Sequence, residues 1–288
     1  MPGTVYLNGD YLPLEDARVS VMDRGFLFGD GVYEVIPVYD GQLVGLEKHL
    51  RRLQNSLDRV SLANPLASER WLSLFHALLE KNAEQAGQPE SAIYLQISRG
   101  VYPKRDLAID PQFPPTVFAM LLPVTPPDLD RISAGISVIT VDDFRWNACD
   151  IKSTSLIGNV MLKQQARVAG VDDAILVRDG LVTEGTASNV FLVKDQVLIT
   201  PPTSRCLLPG ITRDLVIEIA KNNTIMVEER EIKQEELVQA DEIWMTSSTR
   251  EIAPVIQLNG DAVSQGRAGE MWKRVMDLYQ KYKQTVRA

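Results

Sequence analysis

Short apolar runs bounded by turn residues predict β-strands along most of the chain. Residues 32–39 (VYEVIPVY) predict the longest of the early strands. Side chains alternate along a strand, so Tyr33 and Val35 share one face and Glu34 lies on the other. Turn pairs that predict hairpins are Asn8-Gly9, Asp40-Gly41 and Asp179-Gly180. The predicted strands cover residues 5–7, 11–12, 32–39, 42–44, 92–98, 116–122, 136–141, 174–178, 181–183, 190–193, 197–200 and 242–245.

Leucine spacing predicts an amphipathic helix after residue 45. Leu46, Leu50, Leu53, Leu57 and Val60 recur at steps of four and three, which puts them on one helical face. Further helices are predicted at residues 69–86, 155–169, from 211 onward and at 271–282. Strands and helices mix without a regular βαβ rhythm, so the sequence predicts an α+β fold.

The segment 123–128 (PVTPPD) is the best candidate for a linker between domains. Adjacent prolines cannot donate hydrogen bonds to a sheet and favour an extended spacer. We therefore expect a small N-terminal domain over residues 1–122 and a larger C-terminal domain over residues 129–288, the latter carrying Lys152.

Composition excludes several classes of function. The 288 residues include 30 Lys and Arg against 38 Asp and Glu, a net charge of -8, which is unfavourable for binding nucleic acid or an anionic membrane. The chain has only two cysteines, and its first residues lack the basic and apolar runs of a secretory leader, so we expect a cytoplasmic protein. With two histidines and no HExxH, GxSxG or GxxxxGK[ST] motif, a metal site or a Ser-His-Asp hydrolase is not expected. A cofactor or another side chain must then carry any chemistry.

Lys152 and Glu184 are the first candidates for that chemistry. Lys152 stands between Ile151 and small hydroxyl residues just before a predicted helix, where a half-buried amine with a lowered pKa suits Schiff-base chemistry. The alternative is a surface lysine with a packed stem. Glu184, in TEGTASN, pairs with a buried cationic ring nitrogen or is a solvated turn residue. The GDGVYE run at residues 29–34 lacks the third glycine of a dinucleotide fingerprint and predicts a turn that enters a strand.

A phosphate seat is predicted where Gly210-Ile211-Thr212 opens a helix. Free N–H groups and the helix dipole favour an anion there, although ordinary N-capping by Thr212 is the alternative. On the leucine-rich helix Arg52 falls closer to the apolar stripe than Arg51, which favours Arg52 as the inward cation. His49 flanks the stripe and is expected to be packed and hydrogen-bonded.

These motifs continue in a fixed order along nearly the whole chain. The chain resembles the class IV (fold-type IV) pyridoxal phosphate aminotransferases, and within them the D-amino-acid (D-alanine) transaminase branch. The matching stretches are residues 23–25 (DRG), 28–34 (FGDGVYE), 49–53 (HLRRL), 150–153 (DIKS), 158–160 (GNV), 163–164 (KQ), 183–185 (TEG), 188–191 (SNVF), 210–214 (GITRD), 241–249 (DEIWMTSST) and 251–255 (EIAPV).

The resemblance implies a two-domain α+β fold with pyridoxal 5'-phosphate as cofactor. It makes Lys152 the catalytic Schiff-base lysine and proton shuttle, and it pairs Glu184 with the pyridinium nitrogen. The further cofactor-binding residues that it implies are Arg52, Leu208, Ile211, Thr212, Ser247 and Ser248. The substrate-binding residues that it implies are Tyr33, Val35, Arg105 and Ser188. It also implies a homodimer in which the loop 100–115 of one subunit reaches the site of the other.

The loop also carries the substrate prediction. Residues 99–107 (RGVYPKRDL) resemble the D-amino-acid branch, in which an arginine and a histidine hold the substrate carboxylate. Here Arg105, or Lys104, supplies the cation, Leu107 stands at the histidine position, and Arg250 stands where a small residue is usual. We expect transfer from a D-amino acid such as D-alanine to a 2-oxo acid such as 2-oxoglutarate, with (R)-amines as further substrates. The alternatives are branched-chain L-amino-acid transaminase, aminodeoxychorismate lyase and a non-catalytic protein that binds the cofactor.

Overall fold

The structure is a computed structural model that describes residues 3–83, 90–124 and 128–287. Its contacts divide the chain into two compact units. Residues 3–124 and 151–156 belong to the first unit, and residues 128–150 and 157–286 to the second.

The described residues of the first unit form a six-stranded antiparallel sheet in the order β2-β1-β6-β5-β3-β4. Its strands are β1 (Thr4–Leu7), β2 (Asp10–Pro13), β3 (Gly31–Tyr39), β4 (Gln42–Leu43), β5 (Glu90–Ser98) and β6 (Thr116–Pro123). Its helices are α1 (Arg24–Phe28), α2 (Leu46–Arg59) and α3 (Ser68–Lys81), with a short 3-10 turn at Leu14–Asp16.

Helix α2 packs against β3 through its leucine stripe. Leu53 and Leu57 are fully buried, and burying a leucine side chain contributes about 1.5–3 kcal/mol. On β3, Glu34 and Ile36 are buried while Tyr33 and Val35 are half-buried, as the alternation predicts. The pattern therefore decides which β3 side chains meet α2.

A tight turn leads from α1 into β3. Asp23 caps α1 by accepting from the N–H of Gly25 at 2.7 Å, and the helix ends at Gly29 in the left-handed conformation (φ 66°). A Cβ at Gly29 would lie 2.6 Å from Ser155 Oγ, so a side chain does not fit there. The glycine run enters a strand, which confirms that it is not a dinucleotide fingerprint.

The segment 151–156 belongs to the first unit, whereas the sequence predicts that Lys152 lies in the C-terminal domain. The N–H of Tyr33 donates to the carbonyl of Lys152 at 2.9 Å, and the N–H of Thr154 donates to the carbonyl of Gly31 at 2.9 Å. These bonds add the segment beside β3 through a bridge between Val32 and Ser153. Hydrogen bonds to β3 therefore place Lys152 in the first unit, although it follows the predicted linker in the chain.

The described residues of the second unit form a nine-stranded mixed sheet in the order β12-β11-β10-β13-β14-β7-β8-β9, with β15 paired to β14. Its strands are β7 (Ile136–Asp142), β8 (Asp173–Arg178), β9 (Leu181–Gly185), β10 (Asn189–Lys194), β11 (Val197–Thr200), β12 (Val227–Glu229), β13 (Glu242–Ser247), β14 (Glu251–Leu258) and β15 (Asp261–Ala262). Its helices are α4 (Leu129–Ser133), α5 (Ile157–Val168), α6 (Ile211–Asn222), α7 (Gln234–Leu237) and α8 (Glu270–Arg287), with a 3-10 turn at Ser264–Gly266.

The second sheet curls, because a short turn joins β9 at the end of the strand order to β10 near the other end. The N–H of Gly185 closes that turn on the carbonyl of Ser188 at 2.6 Å. Side chains alternate along β10 between two hydrophobic cores. Val190 and Leu192 belong to a core formed mainly by strand residues, whereas Phe191 belongs to the core that includes residues of α6 and α8. The curl thereby brings β9, at one end of the strand order, close to β10, near the other end.

The structure differs from the sequence prediction at several elements. Strand β14 is not predicted, because Pro254 interrupts a run that otherwise has strand character. Helix α3 ends at Lys81, and residues 84–86 of the predicted helix lie outside the described residues, as do residues 125–127 of the predicted linker. Both α5 and the closing helix α8 are confirmed, with ends shifted by a few residues.

Candidate active site

Lys152 is held by β3 and α2 of the first unit. Besides the bond from Tyr33, its own N–H donates to Ser56 Oγ at 3.1 Å. The side chain is half-buried, and Nζ lies 4.3 Å from the centroid of the Tyr33 ring. An ammonium group over an aromatic face is attracted by the ring quadrupole. The main chain of Lys152 is thus fixed on two sides, and its amine has a defined direction over Tyr33.

Glu34 lies on the buried face of β3 and gathers two basic side chains from α2. Arg52 Nε donates to Oε1 at 2.8 Å and Nη2 donates to Oε2 at 2.7 Å, while His49 Nδ1 lies 2.8 Å from Oε2. Burial by itself raises the pKa of a carboxyl, but the charge of Arg52 and the hydrogen bonds from Arg52 and His49 bring the pKa of Glu34 down to about 2. Burial lowers the pKa of His49, so at neutral pH a neutral imidazole donates Nδ1–H to an ionised carboxylate.

Arg52 faces inward and Arg51 faces solvent, as the helical spacing predicts. Arg52 is 6% exposed, whereas Arg51 belongs to the exposed class. The bidentate pair with Glu34 fixes the plane of the Arg52 guanidinium. His49 is packed and hydrogen-bonded, which was also expected.

Glu184 is buried within β9 of the second unit and is not a solvated turn residue. Arg145 Nη1 donates to Oε1 at 2.6 Å, and the N–H of Leu208 donates to Oε2 at 3.0 Å. Burial raises the pKa of Glu184 to about 7 against the opposing effect of Arg145. A carboxyl poised near neutrality ionises readily when a further positive charge is brought next to it.

Arg145 orients Glu184, and the sequence did not predict this contact. Its Nε and Nη2 donate to the two oxygens of Asp143 at 2.8 and 2.9 Å, so a bidentate pair directs Nη1 at Glu184. Arg178 Nη2 lies 3.2 Å from the same Asp143 carboxylate. The available signal was the pair Asp143 and Arg145, two apart just after β7, but nothing local linked it to residue 184.

Helix α6 begins with backbone donors that no side chain caps. Its N-cap is Gly210, without a side-chain hydrogen bond, so capping by Thr212 is wrong. Ile211 and Thr212 are buried. Asn189 Nδ2 donates to the carbonyl of Leu208 at 2.8 Å and so holds the entry to the helix. The first turn of α6 therefore has the properties of an anion seat.

Hydroxyl groups gather at the ends of β10 and β13. Ser247 and Ser248 are half-buried, and Ser247 Oγ accepts from the N–H of Arg250 at 3.2 Å. Ser188 Oγ and Thr246 Oγ1 are buried and find no hydrogen-bond partner among the described residues. Buried hydroxyls without partners are costly, so these two fit a polar ligand.

The loop after β5 is tied to α1 within the first unit. The Arg105 guanidinium lies over the Phe28 ring at 4.9 Å, and Leu107 is 74% exposed. Arg24 Nη2 donates to the carbonyl of Leu107 at 3.2 Å, and its Nη1 donates to the carbonyl of Asp106. Arg24 thus helps to hold the loop, and the sequence showed no signal for this contact beyond the DRG motif.

The predicted site residues divide between the units as follows: Tyr33, Val35, Arg52, Arg105 and Lys152 lie in the first, and Glu184, Ser188, Leu208, Ile211, Thr212, Ser247 and Ser248 in the second. Within the described ranges, no group of three or more His, Cys, Asp or Glu side chains is arranged to hold a metal ion. Among these same residues, no helix has both the length and the apolar character to cross a membrane.

Comparisons with known proteins show the family of the chain. A family model described as amino-transferase class IV matches residues 31–258. A D-alanine aminotransferase of Bacillus licheniformis is 38% identical over 276 residues, which cover 96% of this chain and 95% of that protein. A D-alanine aminotransferase of Staphylococcus epidermidis is 35% identical over 281 residues, 98% of each chain.

Solved structures share the fold at lower identity. A branched-chain amino acid aminotransferase of Escherichia coli superposes with a TM-score of 0.88 at 26% identity, covering 98% of this chain and 94% of that one. A hypothetical aminotransferase of Mycobacterium tuberculosis in its PLP-bound form gives a TM-score of 0.84 at 26% identity, covering 96% and 98%.

Proposed function

The chain belongs to the class IV aminotransferases, and from this premise we propose that it moves the amino group of a D-amino acid such as D-alanine to a 2-oxo acid such as 2-oxoglutarate, with pyridoxal 5'-phosphate as cofactor. The D-alanine aminotransferases at 35–38% identity over nearly the whole chain support the substrate class. The structural neighbours named for branched-chain amino acids, at 26% identity, support it less.

The residues present fit this cofactor. When bound, pyridoxal phosphate supplies an aldehyde, a ring that draws electrons from the substrate Cα, and a phosphate. The chain offers a directed amine at Lys152, a buried carboxyl at Glu184, and buried hydroxyls without partners at Ser188 and Thr246. The uncapped first turn of α6 adds backbone donors for a dianion.

Lys152 is the catalytic residue of the proposal. Its neutral amine would hold the aldehyde of the cofactor covalently and, when free, would act as the shuttle for the proton of the substrate Cα. The main-chain bonds from Tyr33 and to Ser56 fix the backbone of Lys152, and Nζ lies over the Tyr33 ring. A fixed amine allows proton transfer on a single face, and a single face gives a stereospecific reaction.

Glu184 would keep the ring nitrogen of the bound cofactor protonated. Its pKa of about 7 in the protein alone reflects burial, and a cationic ring nitrogen beside it would favour the ionised carboxylate. Arg145 and the Leu208 N–H orient the two oxygens and keep the carboxylate in one position. Leu208 also packs against the ring in this proposal.

In this proposal the residues that would hold the phosphate are Arg52, the Ile211 and Thr212 amides, Ser247 and Ser248. The pairing of Arg52 with Glu34 sets the orientation of its guanidinium. Helix N-terminal amides and hydroxyls donate to the remaining oxygens without adding charge. This division fits a chain with a net charge of -8, because placed donors rather than a basic field bind the anion.

The substrate lies against Tyr33, Val35 and Ser188, and Arg105 of the loop holds its carboxylate. Tyr33 stacks on Tyr94 with ring centroids 5.8 Å apart, which makes that face of β3 rigid and aromatic. Arg105 is exposed in the single chain, in keeping with a loop that serves the site of a second subunit. We accordingly propose a homodimer with shared sites, located in the cytoplasm.

The observation that supports the proposal most is the buried carboxyl of Glu184, which Arg145 and the Leu208 N–H orient. The same chain holds the amine of Lys152 over the Tyr33 ring. The test incubates the purified chain and pyridoxal phosphate with D-alanine and 2-oxoglutarate, beside L-leucine and aminodeoxychorismate. We expect pyruvate and glutamate from D-alanine. A higher rate with L-leucine, or pyruvate from aminodeoxychorismate alone, would contradict the D-amino-acid assignment.

Borohydride reduction followed by peptide mapping tests Lys152 independently of substrate. The reduced cofactor should be fixed on the tryptic fragment that contains Lys152. Lys152→Ala should fold normally and retain no fixed cofactor, whereas Lys163→Ala, a change on the neighbouring helix α5, should retain it. Label on another lysine would show that the catalytic residue is misassigned.

A further inference from the structure

Cys149 and Cys206 are 57 residues apart in sequence but adjacent in the second unit. The N–H of Cys149 donates to the carbonyl of Arg205 at 2.8 Å. Standard bond lengths and hydrogen-bond angles then put the Cα atoms of the two cysteines within about 6.5 Å of each other. Disulfides usually span roughly 4.4–6.8 Å between Cα atoms, so the two backbones are close enough to be bridged.

Both thiols face the same short segment, residues 146–147. The Cys149 thiol donates to the carbonyl of Trp146 at 3.2 Å, and the Cys206 thiol lies 3.5 Å from Asn147 Oδ1. Both are free cysteines, with Cys149 buried and Cys206 half-exposed. The two side chains therefore converge on one region, and only one of them is open to solvent.

Cys206 has the environment of a reactive thiol. Arg178 Nη1 lies 3.4 Å from its sulfur, and Arg178 Nη2 donates to the carbonyl of Arg145 at 2.9 Å, which holds the guanidinium in place. Arg178 therefore places a fixed positive charge against a sulfur that solvent reaches, an arrangement typical of reactive cysteines. Burial raises the pKa of the Cys149 thiol, so Cys149 is the less reactive of the two.

We propose that Cys206 is an oxidant-sensitive site with Cys149 as its resolving thiol, the pair forming a reversible intramolecular disulfide with hydrogen peroxide. The Cys206 thiolate attacks one peroxide oxygen, the O–O bond breaks, and hydroxide leaves and is protonated to water. The Cys149 thiolate then attacks the sulfenic sulfur of Cys206, the S–O bond breaks, and a second water leaves. Two thiols lose two electrons and two protons, and one peroxide is reduced to two waters.

The pair lies beside the carboxylate that the proposed function assigns to the cofactor. Arg178 pairs with Asp143, Asp143 with Arg145, and Arg145 with Glu184. In addition, Arg145 Nη2 donates to the carbonyl of Cys206 at 3.4 Å. The modification site is therefore continuous with the ion-pair network around Glu184, although disulfide formation itself does not require transamination.

The test treats the reduced full chain with hydrogen peroxide, alkylates the remaining thiols under denaturing conditions and measures intact mass. We expect both thiols to become resistant to alkylation and the mass to fall by about 2 units for the two hydrogens lost, with recovery on adding a reductant. Trypsin should release residues 146–152 (WNACDIK) joined to residues 206–213 (CLLPGITR). Two freely alkylated thiols after peroxide, or disulfides only between separate chains, would overturn the proposal.

Three variants separate the two thiols. In Cys149→Ser, Cys206 should stop at the sulfenic acid and be trapped by dimedone, whereas in Cys206→Ser the buried Cys149 should stay alkylatable at the same dose. Arg178→Gln should slow the oxidation of Cys206 by roughly tenfold, and Arg178→Lys should restore most of the rate. Dimedone on Cys149, or an unchanged rate in Arg178→Gln, would refute the assigned roles.

Discussion

Removing Arg52 should expose the energetic role of its pair with Glu34. The carboxylate is 1% exposed and its pKa is about 2, against 4.5 for an ordinary glutamate. That difference corresponds to about 3 kcal/mol of folding free energy at neutral pH, in agreement with the roughly 3–5 kcal/mol lost when one partner of a buried ion pair is deleted. We therefore expect Arg52→Ala to lower the free energy of unfolding by about 3–5 kcal/mol at pH 7.

The pH dependence gives the sign of the effect. In the parent chain the pKa of Glu34 is lowered, so its stabilising contribution is fully present above pH 4.5 and is lost as the pH falls towards 2. In Arg52→Ala, burial acts without the opposing cation, and the pKa of Glu34 moves above its ordinary value. The stability gap between parent and variant should therefore shrink as the pH falls from 7 to 5.

Urea unfolding followed by fluorescence, at several pH values, measures this gap. Arg51→Ala is the matched control, because Arg51 is next to Arg52 in sequence but is exposed. This substitution should change the free energy of unfolding by less than about 0.5 kcal/mol. The double variant Glu34→Gln/Arg52→Ala should recover part of the loss and show no pH-dependent gap from Glu34. An Arg51→Ala loss as large as that of Arg52→Ala, or a gap that does not narrow towards pH 5, would refute this reasoning. In cofactor titrations Arg52→Ala should also bind pyridoxal phosphate roughly 10- to 100-fold more weakly.

The remaining predictions concern Glu184 and the loop. Glu184→Gln nearly preserves the shape of the side chain but removes its charge. Stopped-flow measurement of the half-reaction with D-alanine should therefore show a slower rate while the cofactor is retained. A normal rate would mean that the role of Glu184 is misassigned. In protein without cofactor, the raised pKa of Glu184 contributes stability that is present below pH 4.5 and lost as the pH rises through about 7; unfolding curves of Glu184→Gln should lack this decline. Arg105→Ala should depress kcat/KM for D-alanine by roughly 10- to 100-fold and much less for (R)-1-phenylethylamine, because only the former has a carboxylate to hold. Lys104→Ala serves as the control, and equal losses on both substrates for Arg105→Ala would contradict the carboxylate contact.

Residue pattern alone determines the local elements and one face of the candidate site. The alternation in β3 separates Tyr33 from Glu34, and the leucine stripe of α2 turns Arg52 inward, both as observed. These features follow from periods of 2.0 and 3.6 residues, which involve only neighbours along one element. The family resemblance adds roles to residues such as Lys152, but not their surroundings.

Contacts between distant segments are decided only by tertiary structure. Pairing with β3 places Lys152 in the first unit, although it follows the predicted linker. The curl of the second sheet buries Glu184 and brings it to Arg145, 39 residues earlier in the chain. No periodic pattern encodes such a pair, because each contact depends on how whole strands pack and register against one another. The same packing moves the pKa of Glu184 to about 7, since burial exists only once the strands around it have assembled.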